Sequence, residues 1–143
     1  MRPLIKYLLY IAPFAYMILI WILSSLPSDA IVNTPFSFDR AFKESLHLIE
    51  FGILYGLWVL FLLVRGKLTA KTNIIAAVIS IAYGFVDEAH QYFVPYRSAT
   101  VIDLVKDTIG VLVLFFIIKR SYFGEKFPRI GRILNWIEGI ERR

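Results

Sequence analysis

The chain has 143 residues, 58% of them hydrophobic and only 19% charged. A soluble domain carries nearer ~25% charged residues, so the composition excludes an ordinary water-soluble fold and indicates one integral membrane unit. The net charge of +5 is no nucleic-acid signature, because the basic residues flank apolar runs, and zero cysteines exclude disulfide and thiolate chemistry.

The first uncharged run is Tyr7 to Ser28, 22 residues, enough to cross a hydrocarbon core that needs ~20. It exceeds the ~7–15-residue apolar core of a signal peptide and reads as a retained anchor. Pro13 lacks the N–H that would bond Leu9, which predicts a kink. Three later runs are shorter: 14 residues between Glu50 and Arg65, 15 between Lys71 and Asp87, and 11 between Asp107 and Lys119. Each reaches membrane length only by taking in ionisable residues at one end. That predicts spans of about 46–64, 72–94 (ended by Pro95) and 101–118. In the final stretch, Ile130, Ile133, Leu134, Ile137 and Ile140 fall on one helical face with the arginines mostly elsewhere. Too polar to span, it is expected to lie along the cytoplasmic leaflet. The expected fold is an all-α integral membrane protein. Four transmembrane helices form a bundle over residues 1–121, and a basic tail over 122–143 carries an amphipathic helix.

The basic residues orient this bundle. Arg2, Lys6, Arg65, Lys67, Lys71 and the seven from Lys119 onward put twelve on one side, against Arg40, Lys43 and Arg97 on the other. Positive-inside then places both termini in the cytoplasm of a multi-pass protein in a cell membrane.

That topology gathers the acids at the outer ends of their helices. With a rise of 1.5 Å per residue, Glu50, Asp87 and Asp107 lie roughly 6–11 Å below the expected helix ends. His47 shares a face with Glu50, and Asp103, Asp107 and Gly110 share one on the last span. Ala76, Ser80 and Gly84 form a small-residue stripe leading into Asp87, Glu88 and Gln91, and small residues let helices approach closely. Gly52 and Gly56 form a GxxxG on roughly the opposite face from Glu50, a weak signal alone. Ionisable residues at membrane depth mark a site by default. The stretch "GFVDEAHQYFVPYR" over 84–97 is therefore the centre of interest.

Three motifs carry a resemblance. "WILSSLP" over 21–27, "KESLHLIEFGILYGLWVL" over 43–60 and "DEAHQYFVPYRSATVIDLVKDTIG" over 87–110 resemble the VanZ-like family of bacterial membrane proteins, in the family's order and spacing. The resemblance spans roughly residues 15–115. The family's recurrent polar positions match at His47, Glu50, Asp87, Glu88, Gln91, Arg97, Asp103, Asp107 and Gly110, while Tyr96 stands where glycine is common. The resemblance implies a cell-envelope role with an influence on susceptibility to the glycopeptide teicoplanin, and no settled reaction.

Several readings of the polar layer stay open. Its residues are structural glue, since interhelical hydrogen bonds in membranes contribute about 0.6 kcal/mol each. Or they line an outward-facing pocket for an envelope lipid or lipid-linked cell-wall precursor, with Arg97 and His90 as binding residues and Arg97 as a planar phosphate partner. If the ligand is converted, the catalytic candidates are His47, Glu50, Asp87, Glu88, Gln91, Asp103 and Asp107. The reaction would then be hydrolysis or transfer at a lipid headgroup. A divalent metal would draw on His47, Glu50, Asp87 and Asp107. Nucleophilic catalysis has only Ser45, Ser98 and Thr100 nearby, without the geometry that defines a triad. A partner-binding module and an ion-coupled transporter complete the set. The transporter would need an oligomer, because transport sites usually lie near the midplane between repeats.

Overall fold

The computed structural model describes residues 2–26, 38–95, 97, 99–124 and 126–139, with the side chains of residues 2, 3 and 38–47 outside that description. The described residues form five helices and no strand: α1 (Arg2–Ser24), α2 (Phe38–Val64), α3 (Ala70–Gln91), α4 (Val101–Tyr122) and α5 (Pro128–Glu138). All four long elements expected from the hydropathy runs are present as helices. Their ends differ: α2 begins at Phe38, well before residue 46, and α3 ends at Gln91, before Pro95. Pro13 lies buried inside a continuous α1. Tyr96 and Ile140 lie outside the described residues.

The expected four spans reduce to two clear candidates. Among the described residues Leu4–Ser24 and Ala70–Gln91 are long and apolar enough to cross a membrane, and the apolar part of α2 described there, Leu48–Val64, is shorter. Asp103, Lys106, Asp107, Lys119 and Arg120 interrupt α4. α2 packs against all four other helices, and its contact with α4 is the most extensive in the molecule. Phe51, Leu54, Tyr55, Val59 and Leu63 of α2 are all buried, joined by Ile20 of α1 and Val111 and Ile118 of α4. Among the described side chains, α2 leaves only Leu48, Ile49 and Ile53 of its large apolar residues exposed. The outer faces of α1, α3 and α4 are instead greasy: Ile18, Ile22, Ile75, Val78, Val113 and Phe116 are exposed. An apolar belt of this extent on three helices suits lipid contact.

Local signals set the helix ends. Gly66 adopts φ 59°, and its N–H and that of Lys67 bond the carbonyls of Leu63 and Leu62, the Schellman arrangement that ends α2. Thr69 and Thr72 then form a reciprocal capping box at the start of α3. Within the bundle, the buried Tyr55 hydroxyl donates to Asn73 Oδ1 at 2.6 Å, tying α2 to α3.

The α2–α4 crossing depends on Gly110. A Cβ built there would stand 1.9 Å from the carbonyl oxygen of Leu48, a backbone atom of the facing helix. Gly52 meets the Gly110 carbonyl at 3.3 Å in the same way, and Gly56 meets only the Leu114 side chain. The GxxxG of α2 is therefore used in this crossing. Gly110→Ala should lose about 1–3 kcal/mol or more through overpacking against an immovable backbone, and Gly52→Ala should lose less. Thermal unfolding in detergent checks the order; equal melting points for the two variants would contradict it.

Candidate functional site

The polar residues meet at the end of the bundle where α1 and α3 stop and α4 begins. Asp87 is the centre. Its side chain is 1% exposed, on α3 one turn after Gly84. Ser24, in the last turn of α1, donates its hydroxyl to Asp87 Oδ1 at 2.5 Å, and Gln91 Nε2 donates to Oδ2 at 2.6 Å. A hydroxyl has one proton, and the Ile20 carbonyl at 2.8 Å competes for it. Short bonds to a carboxylate are among the stronger ones in proteins.

Asp107 of α4 is equally buried. A Cβ on Gly84 would lie 3.5 Å from its carboxylate, an ordinary contact distance, so Asp107 lies directly beside α3 at this point. Glu88, 8% exposed, accepts the backbone N–H of Thr100 at 3.1 Å and fixes the entry to α4. Glu50, half-buried on α2, lies within electrostatic reach of Tyr16 on α1 and Tyr83 on α3; Asp87 reaches the same Tyr83. The Tyr83 hydroxyl donates to the Met17 carbonyl at 2.7 Å, a second link from α3 to α1.

Other expected residues have more local partners. Asp103 accepts the Thr100 hydroxyl at 2.6 Å and pairs with Lys106 at 3.3 Å, while Thr100 caps α4 by accepting the Asp103 N–H. That is the chemistry of a helix N-terminus. Arg97 donates from Nε to the Leu26 carbonyl at 2.9 Å and from Nη2 to that of Leu23 at 2.5 Å. It thereby adds a cationic donor to carbonyls at the end of α1, one of which, Leu23, also accepts the Leu26 N–H, a favourable place for a cation. His90 stacks on Trp21 with centroids 3.9 Å apart, and its Nε2 lies 2.9 Å from Ser25 Oγ. The His47 side chain lies outside the described residues. Among the described residues no three carboxylates or imidazoles stand close enough to share a metal ion. Glu50, Asp87 and Asp107 therefore do not assemble a metal cage of their own.

Hydropathy reading missed the contribution of α1. Ser24 meets Asp87, and Trp21 and Ser25 meet His90, so α1 is part of the layer and not merely an anchor. The available signal was "WILSSLP", two hydroxyls and a tryptophan ending an otherwise apolar run.

A family model described as VanZ/LLP1 matches residues 6–123. The chain belongs to the VanZ/LLP1 family. No curated protein and no solved structure matches it. The family match takes in α1 to α4 and the whole acid layer; α5 lies beyond it. For this VanZ/LLP1 member, the layer thus coincides with the family's own helices.

The bonds around Asp87 make a testable order of stabilities. Ser24→Ala strands a buried carboxylate oxygen and should lose about 1–3 kcal/mol. Asp87→Asn should lose less, because an amide oxygen still accepts from Ser24 and the Gln91 amide can turn to accept from the new NH₂. Melting curves for the two variants check this; a collapse confined to Asp87→Asn would show that the negative charge itself holds the layer.

Proposed function

We propose that this VanZ/LLP1 protein binds a membrane amphiphile, an envelope lipid or a lipid-linked cell-wall precursor, with its headgroup at the acid layer. The observation that carries the reading is an apolar groove of about 330 Å³ between α1 and α3, lined by Phe14, Met17, Ile18, Trp21 and Tyr83. It adjoins the polar layer through two shared residues. Trp21 both lines the groove and stacks on His90, and Tyr83 lines it one turn below Asp87. A ligand matching both surfaces has a hydrocarbon tail and a polar head. Polar groups placed at one end of an apolar site are the usual way to orient such a ligand. On this reading the protein influences glycopeptide susceptibility by holding or converting an envelope amphiphile.

Filling the groove tests this without touching the acids. Ile18 is 62% exposed, so Ile18→Trp should fold normally yet abolish any change in teicoplanin susceptibility that the wild-type protein gives a sensitive host. Asp87→Asn and Glu50→Gln should do the same from the headgroup side. Full phenotype in all three variants would sink the proposal.

A second reading has its own support. Both oxygens of Asp87 already have protein donors, and Arg97 and Asp103 serve helix ends. On this reading the layer is a lock between helices, and removing its charge is neutral or stabilising, since buried ionic groups often destabilise a fold. Variants that melt higher than wild type and keep their phenotype would select it.

The proposed membrane arrangement is four spans with the acid layer outside and both termini in the cytoplasm, resting on the twelve-to-three basic asymmetry. The cysteine-free chain gives a clean background for labelling. Phe93→Cys, at an exposed position beyond α3, should react with a membrane-impermeant thiol reagent on intact cells, and Lys126→Cys should not. The reverse pattern would invert the topology.

A further inference from the structure

α5 presents two faces, and its more apolar one is already occupied. A Cβ on Gly131 would stand 2.6 Å from the Ser121 carbonyl, so α5 lies directly on the end of α4. Leu134 is buried in the core, with Ile130 and Ile137 packed against it. The Tyr122 hydroxyl donates to Glu138 Oε2 at 2.8 Å and fixes the far end. The helix expected to lay these residues on lipid uses them against its own bundle.

The other face reads Arg129, Arg132, Ile133 and Trp136, spaced i, i+3, i+4, i+7 and so on one stripe. These residues line a shallow groove of about 360 Å³, with Ile133 and Trp136 58% and 70% exposed. Among the described residues neither guanidinium meets a carboxylate. Three other helices mark the same end of the bundle with one device. Lys6 lies over Tyr10, Arg65 over Phe61 and Lys119 over Phe115, at 5.3–6.0 Å from each ring. Each aromatic is one turn nearer the hydrocarbon than its cation. Aromatic rings at headgroup level, with long cationic side chains reaching outward, are how helices meet a bilayer interface.

We infer that the exposed stripe of α5 is a docking surface for anionic phospholipid headgroups of the adjoining leaflet. Arg129 and Arg132 present planar donors that pair with phosphate. Ile133 and Trp136 enter the boundary between headgroup and acyl chain. Charge complementarity selects this occupant: Lys119, Arg120, Lys126, Arg129 and Arg132 cluster here, and the nearby carboxylate of Glu138 is bonded to Tyr122. The docked face makes α5 a rigid plate that holds the arginines in one plane.

The test uses the full chain exposed to an equimolar mixture of phosphatidylglycerol and phosphatidylcholine, with retained lipids counted by native mass spectrometry. Wild type should retain phosphatidylglycerol in preference. The double variant Arg129→Gln/Arg132→Gln should lower that preference at least about tenfold, given what each basic residue contributes at an anionic surface. Lys119→Gln/Arg120→Gln should lower it less. Because the α5 side chains exchanged are exposed, the variant should keep its melting point. In nanodiscs, the fluorescence lost in Trp136→Phe should be the component shielded from an aqueous quencher when phosphatidylglycerol is present. No lipid preference in wild type, an unchanged preference in the α5 variant, or loss confined to the α4 variant would each overturn the inference. Shielding of Trp136 in native membranes but not in phosphatidylglycerol nanodiscs would assign the stripe to a protein partner and overturn it too.

Discussion

The closest constraint in the molecule is the approach of two backbones, the carbonyl of Leu48 on α2 and the Cα of Gly110 on α4. No side chain fits between them. Once α4 lies that close to α2, Asp107, three residues earlier on α4, lies beside Gly84 of α3, where a Cβ would meet its carboxylate at an ordinary 3.5 Å. Asp87 follows one turn along α3 and meets Ser24 of α1. Gly110 thus sets how closely α4 lies on α2, and with it where Asp107 sits beside α3. Attraction could not do this work alone. Interhelical hydrogen bonds in membranes contribute about 0.6 kcal/mol each, while close packing along whole helices sums many dispersion contacts.

Burying carboxylates still has consequences. Desolvating an ion is expensive, and a hydrogen-bonded partner offsets only part of it. Asp87 meets that demand with two neutral donors, a serine and a glutamine, and not with a cation. Glu88 uses a backbone N–H, and Arg97 turns to backbone carbonyls at the end of α1. Asp103 pairs with Lys106 at the edge of the layer, within one turn of one helix. Neutral donors orient a carboxyl group without cancelling it.

Much of this was legible in the sequence, and the reasons are specific. The stripe Ala76, Ser80, Gly84 is buried as its spacing required, because small residues on one face of a helix have few uses besides close approach. Asp87, Glu88, Gln91 and Asp107 are all buried, as their position inside short apolar runs implied. What could not be read was partnership across helices. Ser24 and Trp21 looked like the end of an anchor, and only the crossing of α1 on α3 turns them toward Asp87 and His90. Asp103 and Arg97 looked like site residues, yet each satisfies a helix terminus, a demand set by where helices stop. Span count was the other weak point. Hydropathy takes no account of which face a helix buries, and α2 packs against all four other helices.

The same reasoning explains why an amphipathic pattern misdirects at α5. Ile130, Leu134 and Ile137 share a face, and a lone helix with such a face would turn it toward lipid. Gly131 sits on that same face, and its absent side chain lets the helix touch the Ser121 carbonyl. A glycine is unfavourable within an isolated helix by about 1 kcal/mol relative to alanine. Its presence in the middle of an 11-residue helix is explained by contact with another backbone, not by contact with fluid acyl chains. The pattern of hydrophobicity says which face seeks cover; the glycine says that the cover is protein. What is left uncovered is then the stripe that carries the charge.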